Sequence, residues 1–356
     1  MQLLSVTAAP ELSGLATMSK YFFTAALSML IVMTLTYLWY TIGSARLARQ
    51  LAVEHAQSQN NSKTSRAGKS KAANATSAGG VTTLVRSDVV LHEQPDGEQP
   101  IALNRNLITI GRIGTTVGWF TVFMLFMSQL FRAIVEQHAP WSNLYEFSLS
   151  FTTALLLCYL IFEARFHERV RAWGLYVCIL ALVTVGIAII LGITYDLING
   201  STQLIPALQD KPILTVHVSM AIFAYALFSV SFGSALIVLA QGGEGQRFRW
   251  LPSAEAADEL AYKAVIVGFP LLALTLILGA YWANYAWGHY WSWDPKETSA
   301  LVTWLIYAVY LHARGIRGWS GRRAAWLLTL GFAATLFTYY GVSFFVPSLH
   351  SYATPR

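Results

Sequence analysis

Eight stretches of this chain are long and apolar enough to cross a lipid bilayer, and that limits the fold before anything else does. A helix needs roughly 20 apolar residues to span the hydrocarbon core. Inside that core every backbone N–H and C=O must be paired within its own element. The stretches lie at about 21–42, 112–131, 145–165, 172–193, 213–240, 262–283, 298–313 and 324–346. The seventh is short on apolar residues and is read as a span partly from its neighbours. The chain is therefore expected to be an all-α polytopic membrane protein with about eight transmembrane helices. Its charged content agrees, at 12% of residues against about 25% in soluble domains. The first stretch is not read as a cleaved leader, because no basic region precedes it and the positive charge follows it, in Arg46 and Arg49.

The basic residues orient the bundle. With the N-terminus outside, 19 of the 24 Lys and Arg residues fall in the four inner loops, as the positive-inside rule requires. Nine of them are in one long loop, and the three short inner loops hold the other ten. Both termini are then expected on the outer side. The same distribution accounts for the net charge of +6 without nucleic acid. Cys158 and Cys178 lie in apolar runs and form no C-x-x-C pair, so neither a disulfide framework nor a thiol redox site is expected. With no C-x-x-C-H either, the chain is not expected to carry covalent haem.

Three segments follow from this topology. Residues 1–42 form an outer tail and the first helix, 43–111 an inner, cytoplasmic loop, and 112–356 a seven-helix membrane domain. Residues 54–80 are rich in Gln, Asn, Ser, Lys, Ala and Gly, and are expected to be disordered. Val81–Val85 and Val89–Leu91, around Pro95-Asp96-Gly97, predict a small hairpin.

The connection between the sixth and seventh stretches, 281–297, is the most unusual segment. Seven of its first thirteen residues are aromatic, and four of the twelve tryptophans, Trp282, Trp287, Trp291 and Trp293, fall within twelve positions. One reading is an interfacial belt that anchors helix ends. The other is a shelf for a flat apolar ligand, since aromatic faces stack and bury large areas. Asp294, Pro295 and Glu297 form a capping-box start for the next helix. Lys296 is either a partner for an acidic ligand group such as a propionate or a solvated lysine.

Of eight histidines, His217 near the outer end of the fifth stretch and His350 beyond the eighth fall on the side of the aromatic loop. Imidazoles at membrane depth tend to be functional, and two of them on either face of a porphyrin would give six-coordinate iron. Equally, each could hydrogen-bond a neighbour at the interface. His312 lies 15 residues beyond Glu297, roughly 22 Å down a helix. It is either snorkelling to the inner interface or part of a second site. His138 has no evident partner in the sequence.

The run Trp282–Glu297 with Trp291-Ser292-Trp293-Asp294-Pro295-Lys296-Glu297-Thr298 resembles the WWD signature of haem-handling proteins. Leu311-His312-Ala313-Arg314, His217-Val218 ahead of Tyr225, Asn143-Leu144-Tyr145-Glu146-Phe147 and Leu349-His350-Ser351-Tyr352 resemble the CcsA/CcsB/ResC family. The resemblance runs from about residue 110 to the C-terminus. It implies the haem-handling subunit of a system II cytochrome c synthase in the bacterial inner membrane, with the WWD loop on the extracytoplasmic side. It implies non-covalent haem b as cofactor, a ResB-type membrane partner, and an apocytochrome c with a C-x-x-C-H motif. Any haem lyase activity would belong to the complex. The resemblance makes His217 and His350 the outer axial ligands and His312 one ligand of an intramembrane haem. Trp282, Trp287, Trp291, Trp293 and Asp294 would hold the porphyrin. No general base is evident.

Three rivals remain at this point. A CcmC-type haem delivery protein shares the WWD signature but has six spans. A cytochrome b-like electron-transfer subunit would use bis-His haem between facing helices. A transporter of another ligand would need no haem.

Overall fold

Because helices satisfy their own backbone in hydrocarbon, the apolar stretches become rods, and the computed structural model describes them over residues 10–69, 89–91, 102–198 and 212–349. The elements are α1 (Pro10–Lys69), β1 (Val89–Leu91), β2 (Ala102–Asn104), α2 (Arg105–Glu136), α3 (Leu144–Phe166), α4 (Glu168–Arg171), α5 (Gly174–Thr194), α6 (Pro212–Gln241), α7 (Ala254–Trp287), α8 (Pro295–Arg317), α9 (Gly321–Leu336), a π-turn (Phe337–Gly341) and α10 (Val342–Phe345). All eight expected spans are helical. Seven of the described helices have the length and apolarity to cross a membrane. α8 lacks the apolarity because it buries a polar stripe, Thr303, Tyr307 and Tyr310. Those three hydroxyl side chains occupy positions that an ordinary span fills with Leu or Val. Eight rods of spanning length disfavour a six-span plan.

Two expectations for the inner loop change. α1 runs unbroken to Lys69, so residues 54–69 are helical and the expected disorder is corrected there. The run 45–57 is rich in the strong helix formers Ala, Arg, Gln and Leu and carries the first span on beyond the apolar stretch. Of the two runs expected to form a hairpin, Val89–Leu91 is a strand, but its partner is Ala102–Asn104, which was not expected: β1 pairs antiparallel with β2 in the register Val89↔Asn104, Val90↔Leu103, Leu91↔Ala102. Val81–Val85 and the Pro95-Asp96-Gly97 turn lie outside the described residues.

α6 is the central helix, flanked by α3, α7 and α9. Its Phe228 stacks on Tyr307 of α8, with ring centroids 3.7 Å apart. Gly268 and Gly331 let these rings approach, since a Cβ on either would meet Phe228 or Tyr307 at 2.8 Å. α1 pairs with α2 along its length. Apolar side chains alone give little net drive for helices to associate in lipid, so buried polar contacts fix this pair to the rest. Glu163 of α3, 2% exposed, accepts hydrogen bonds from Tyr37 Oη of α1 at 2.6 Å, Thr115 Oγ1 of α2 at 2.5 Å and Arg171 Nε of α4 at 2.8 Å. One carboxylate thus joins four helices.

Removing one partner of a buried ion pair leaves the other charge uncompensated. Glu163→Ala should therefore lower unfolding stability by about 3–5 kcal/mol, read as denaturant-induced unfolding of the full chain in detergent. An unchanged midpoint would rule out the four-helix pin.

Candidate functional site

Two helix connections, α2–α3 and α7–α8, meet the start of α6 and the π-turn at one end of the bundle, the end at which α2, α7 and the α9–α10 segment finish and α3, α6 and α8 begin. There they enclose a cavity of about 470 Å³, within the range of small-molecule sites. The α2–α3 connection supplies His138 and Trp141, and the start of α6 supplies Leu214 and His217. The end of α7 and the loop after it supply Trp282, Trp287 and Trp291. Lys296 and Glu297 come from α8, and Tyr339 from the π-turn.

His217 is held from behind. Its Nδ1 lies 2.7 Å from the Thr275 carbonyl oxygen on α7. A carbonyl only accepts, so Nδ1 carries a proton, and in the neutral form of the ring the lone pair is then on Nε2. The approach needs Gly279, where a Cβ would meet His217 Cε1 at 2.7 Å. Backbone and ring together fix tautomer and orientation.

Of the four tryptophans expected on the shelf, three reach the cavity. Trp282 is buried and packs edge-on against Trp287, with ring centroids 4.8 Å apart. Trp291 also lines the cavity. Trp293 turns outward, 69% exposed, with a left-handed backbone at φ 60°. Its indole meets Trp291 edge-on at 5.7 Å.

Asp294 acts as a clamp. Its Oδ2 accepts the Lys296 backbone N–H at 3.1 Å, and Glu297 Oε2 accepts the Asp294 N–H at 3.2 Å. This is the capping box expected from the sequence. The second oxygen, Oδ1, accepts the Leu349 N–H at 2.7 Å. The chain after α10 is therefore tied to the aromatic loop up to the last described residue. His350 itself lies outside the described residues. His312 is exposed near the opposite end of α8, far from the cavity, as its spacing predicts.

Sequence reasoning missed three features of the wall. His138 lines the cavity; its Nδ1 is 2.9 Å from the Ala139 oxygen, and its Nε2 is buried without a hydrogen bond among the described residues. The loop carrying it is pinned by Glu146. That carboxylate pairs with Arg132 at 2.7 Å and accepts from Ser142 N and Oγ at 3.0 and 2.7 Å. The π-turn rotates Tyr339 into the wall, stacked on Phe147 with centroids 4.4 Å apart. π-turns often mark functional positions, but nothing in the local sequence announces this one. Lys296 also faces the cavity, where the sequence allowed a solvated lysine equally well.

Comparison with known proteins bears on the same region. Residues 141–350 match the family described as cytochrome C assembly protein. A cytochrome c biogenesis protein CcsA of Trieres chinensis is 34% identical over 283 residues, covering 70% of this chain and 88% of its own. The CcsA of Prochlorococcus marinus strain MIT 9215 is 35% identical over 255 residues, covering 65% of this chain and 81% of its own. That of Chlamydomonas reinhardtii is 34% identical over 264 residues, or 72% of each chain.

Replacing Asp294 with Ala removes a helix cap, a loss of about 1 kcal/mol, and releases Leu349 at the same time. A cysteine at position 349 should then react with a soluble maleimide several-fold faster in the Asp294→Ala background than beside Asp294. Equal rates would mean that the clamp does not hold in solution.

Proposed function

Because the chain belongs to the cytochrome c assembly protein family, we propose that it is the haem-handling subunit of a system II cytochrome c synthase. In this role it holds haem b non-covalently at the outer membrane face for thioether attachment to apocytochrome c. Its part in cytochrome c biogenesis follows from the family itself. The finer reading rests on the cavity. Its single strongest support is His217, whose Nδ1–H is engaged by the Thr275 carbonyl inside an indole-lined chamber. Metal-binding imidazoles almost always pass their second N–H to a carbonyl or carboxylate in this way, which fixes the ring and raises its basicity.

The residues present fit a porphyrin: an oriented imidazole, flat aromatic walls and a lining that is mainly apolar. In this reading His350 would hold the iron together with His217. Its support is the Asp294 hold on Leu349, the residue before it, at the same aromatic loop. Bound haem would supply the iron for the two imidazoles to hold and the vinyl groups to which apocytochrome thiols add. The chain contributes orientation, and its gain is proximity: a fixed vinyl edge turns a bimolecular encounter into a directed one. Trp282, Trp287 and Trp291 bound the macrocycle. Trp293 and Asp294 act from behind, one as the outward edge of the loop and the other as its clamp.

The basic inner loops orient this cavity to the extracytoplasmic side of the bacterial inner membrane. His312 is one ligand of a haem held earlier on the route, with its mate on a ResB-type membrane partner. The other substrate is an apocytochrome c bearing C-x-x-C-H.

His217→Gly and His350→Gly should each abolish the haem absorption of the purified complex and cytochrome c assembly in cells, with partial recovery on adding imidazole. His312→Ala should reduce haem at the outer site while the chain still inserts. Spectra and assembly at wild-type level in all three variants would overturn the ligand set.

A further inference from the structure

Lys296 presents an ammonium to the cavity with nothing anionic hydrogen-bonded to it. Its Nζ donates to Ser343 Oγ at 2.9 Å and lies 5.9 Å from the Tyr339 ring centroid. It is the one Lys or Arg among the described cavity-lining residues. Among the described residues no ion pair within 4 Å includes it; the pairs present are Arg132–Glu146, Arg171–Glu163, Lys263–Glu259 and Arg314–Asp258. The nearby carboxylates are already engaged. Asp294 accepts two backbone N–H groups, those of Lys296 and Leu349. Glu297 accepts the Ser292 N–H and hydroxyl and the Asp294 N–H.

A buried ammonium whose one hydrogen bond goes to a hydroxyl, with the already engaged Asp294 carboxylate acting on it only at longer range, is costly. Its position in the wall of a ligand cavity is explained if the ligand itself brings the counter-charge. We propose that Lys296 binds a carboxylate of the cavity's ligand, and thereby sets which edge of that ligand faces outward. The inference rests on the haem reading above, under which the carboxylates are the two propionates.

The consequence is directional. Lys296, Ser343 and Tyr339 form the wall between the start of α8 and the π-turn. The wall made by the α2–α3 connection and the start of α6 contributes His138, Trp141, Leu214 and His217 and no Lys or Arg. A porphyrin carries its propionates on one edge and its vinyl groups away from them. Anchored at Lys296, it turns the vinyl groups away from the wall between α8 and the π-turn, so that the edge remote from Lys296 is the one open to apocytochrome thiols. Lys296 is thus an orienting residue, distinct from the iron-binding imidazoles.

The test is spectral titration of the full chain in nanodiscs with haem and with haem dimethyl ester, whose propionates are neutral. Charge-assisted hydrogen bonds predict that the wild type binds haem about ten- to a hundredfold more tightly than the ester. Lys296→Met should bring haem down to the affinity of the ester and leave the ester unchanged, whereas Lys296→Arg should keep most of the preference. A wild type that binds both porphyrins equally overturns the role of Lys296 and leaves the haem reading standing. So does a Lys296→Met variant that still prefers haem, because the preference would then be steric. A wild type that binds neither porphyrin overturns the haem reading and this inference together. Should Lys296→Met fail to fold, the wild-type ratio and the Lys296→Arg ratio decide the matter.

Discussion

The Asp294 carboxylate is the contact on which the functional end of this molecule depends. One oxygen starts α8 by accepting the Lys296 N–H, and the other holds Leu349, 55 residues further along the chain. A carboxylate that accepts two backbone N–H groups has little freedom left, and its charge favours both bonds. The aromatic loop, the first turn of α8 and the segment after α10 are thereby made one rigid unit. Trp293 marks the strain this needs. A bulky residue at φ 60° lies where L-residues are disfavoured, and it is tolerated because the capping box behind it fixes the backbone.

The same logic recurs deeper in the bundle. α3 carries a buried carboxylate at each end, Glu146 and Glu163, each about 1–2% exposed. Glu163 gathers α1, α2 and α4 by side-chain bonds. Glu146 grips Arg132, which in turn donates to the Leu197 and Ile198 carbonyls beyond α5. In lipid the apolar faces of two helices gain little by meeting, so such fully satisfied polar contacts decide which helices are neighbours. The cavity inherits its far wall from Glu146, because the loop bearing His138 and Trp141 hangs from that carboxylate.

Much of this was legible in the sequence, for identifiable reasons. Span number and place follow from bilayer thickness, which no tertiary contact alters. The capping box is a local pattern, and Asp294 and Glu297 formed it as written. The reach of α1 past the membrane was not legible, because low apolar content reads as disorder even where Ala, Arg and Gln sustain a helix. The π-turn at Phe337–Gly341 was not either: one extra residue in a turn leaves no compositional mark, yet it decides that Tyr339 faces the cavity. The place of His138 and the choice between the two readings of Lys296 were not legible, for a shared reason. Whether a polar side chain meets water or a cavity depends on partners in other elements, such as Ser343 and Tyr339 for Lys296, and spacing along one helix says nothing about them. The outward turn of Trp293 belongs to the same class, since alternate aromatic residues in a loop need not share a face.

The packing also argues about where a wide, flat ligand can sit. Between the helices there is no room for one at the level of Tyr307. Phe228 stacks on that ring at 3.7 Å, and glycines at 268 and 331 already give up their side chains to admit the pair. Opening a slot there would forfeit close-packed contacts on both sides. At the bundle's end the constraint is reversed. Helix ends diverge, connections need not fill space, and large indoles can wall a chamber without being interdigitated. A bis-imidazole site between facing helices, as an electron-transfer cytochrome would use, conflicts with the filled centre. A site at the end agrees with it, and it leaves one edge of the ligand within reach of a second protein.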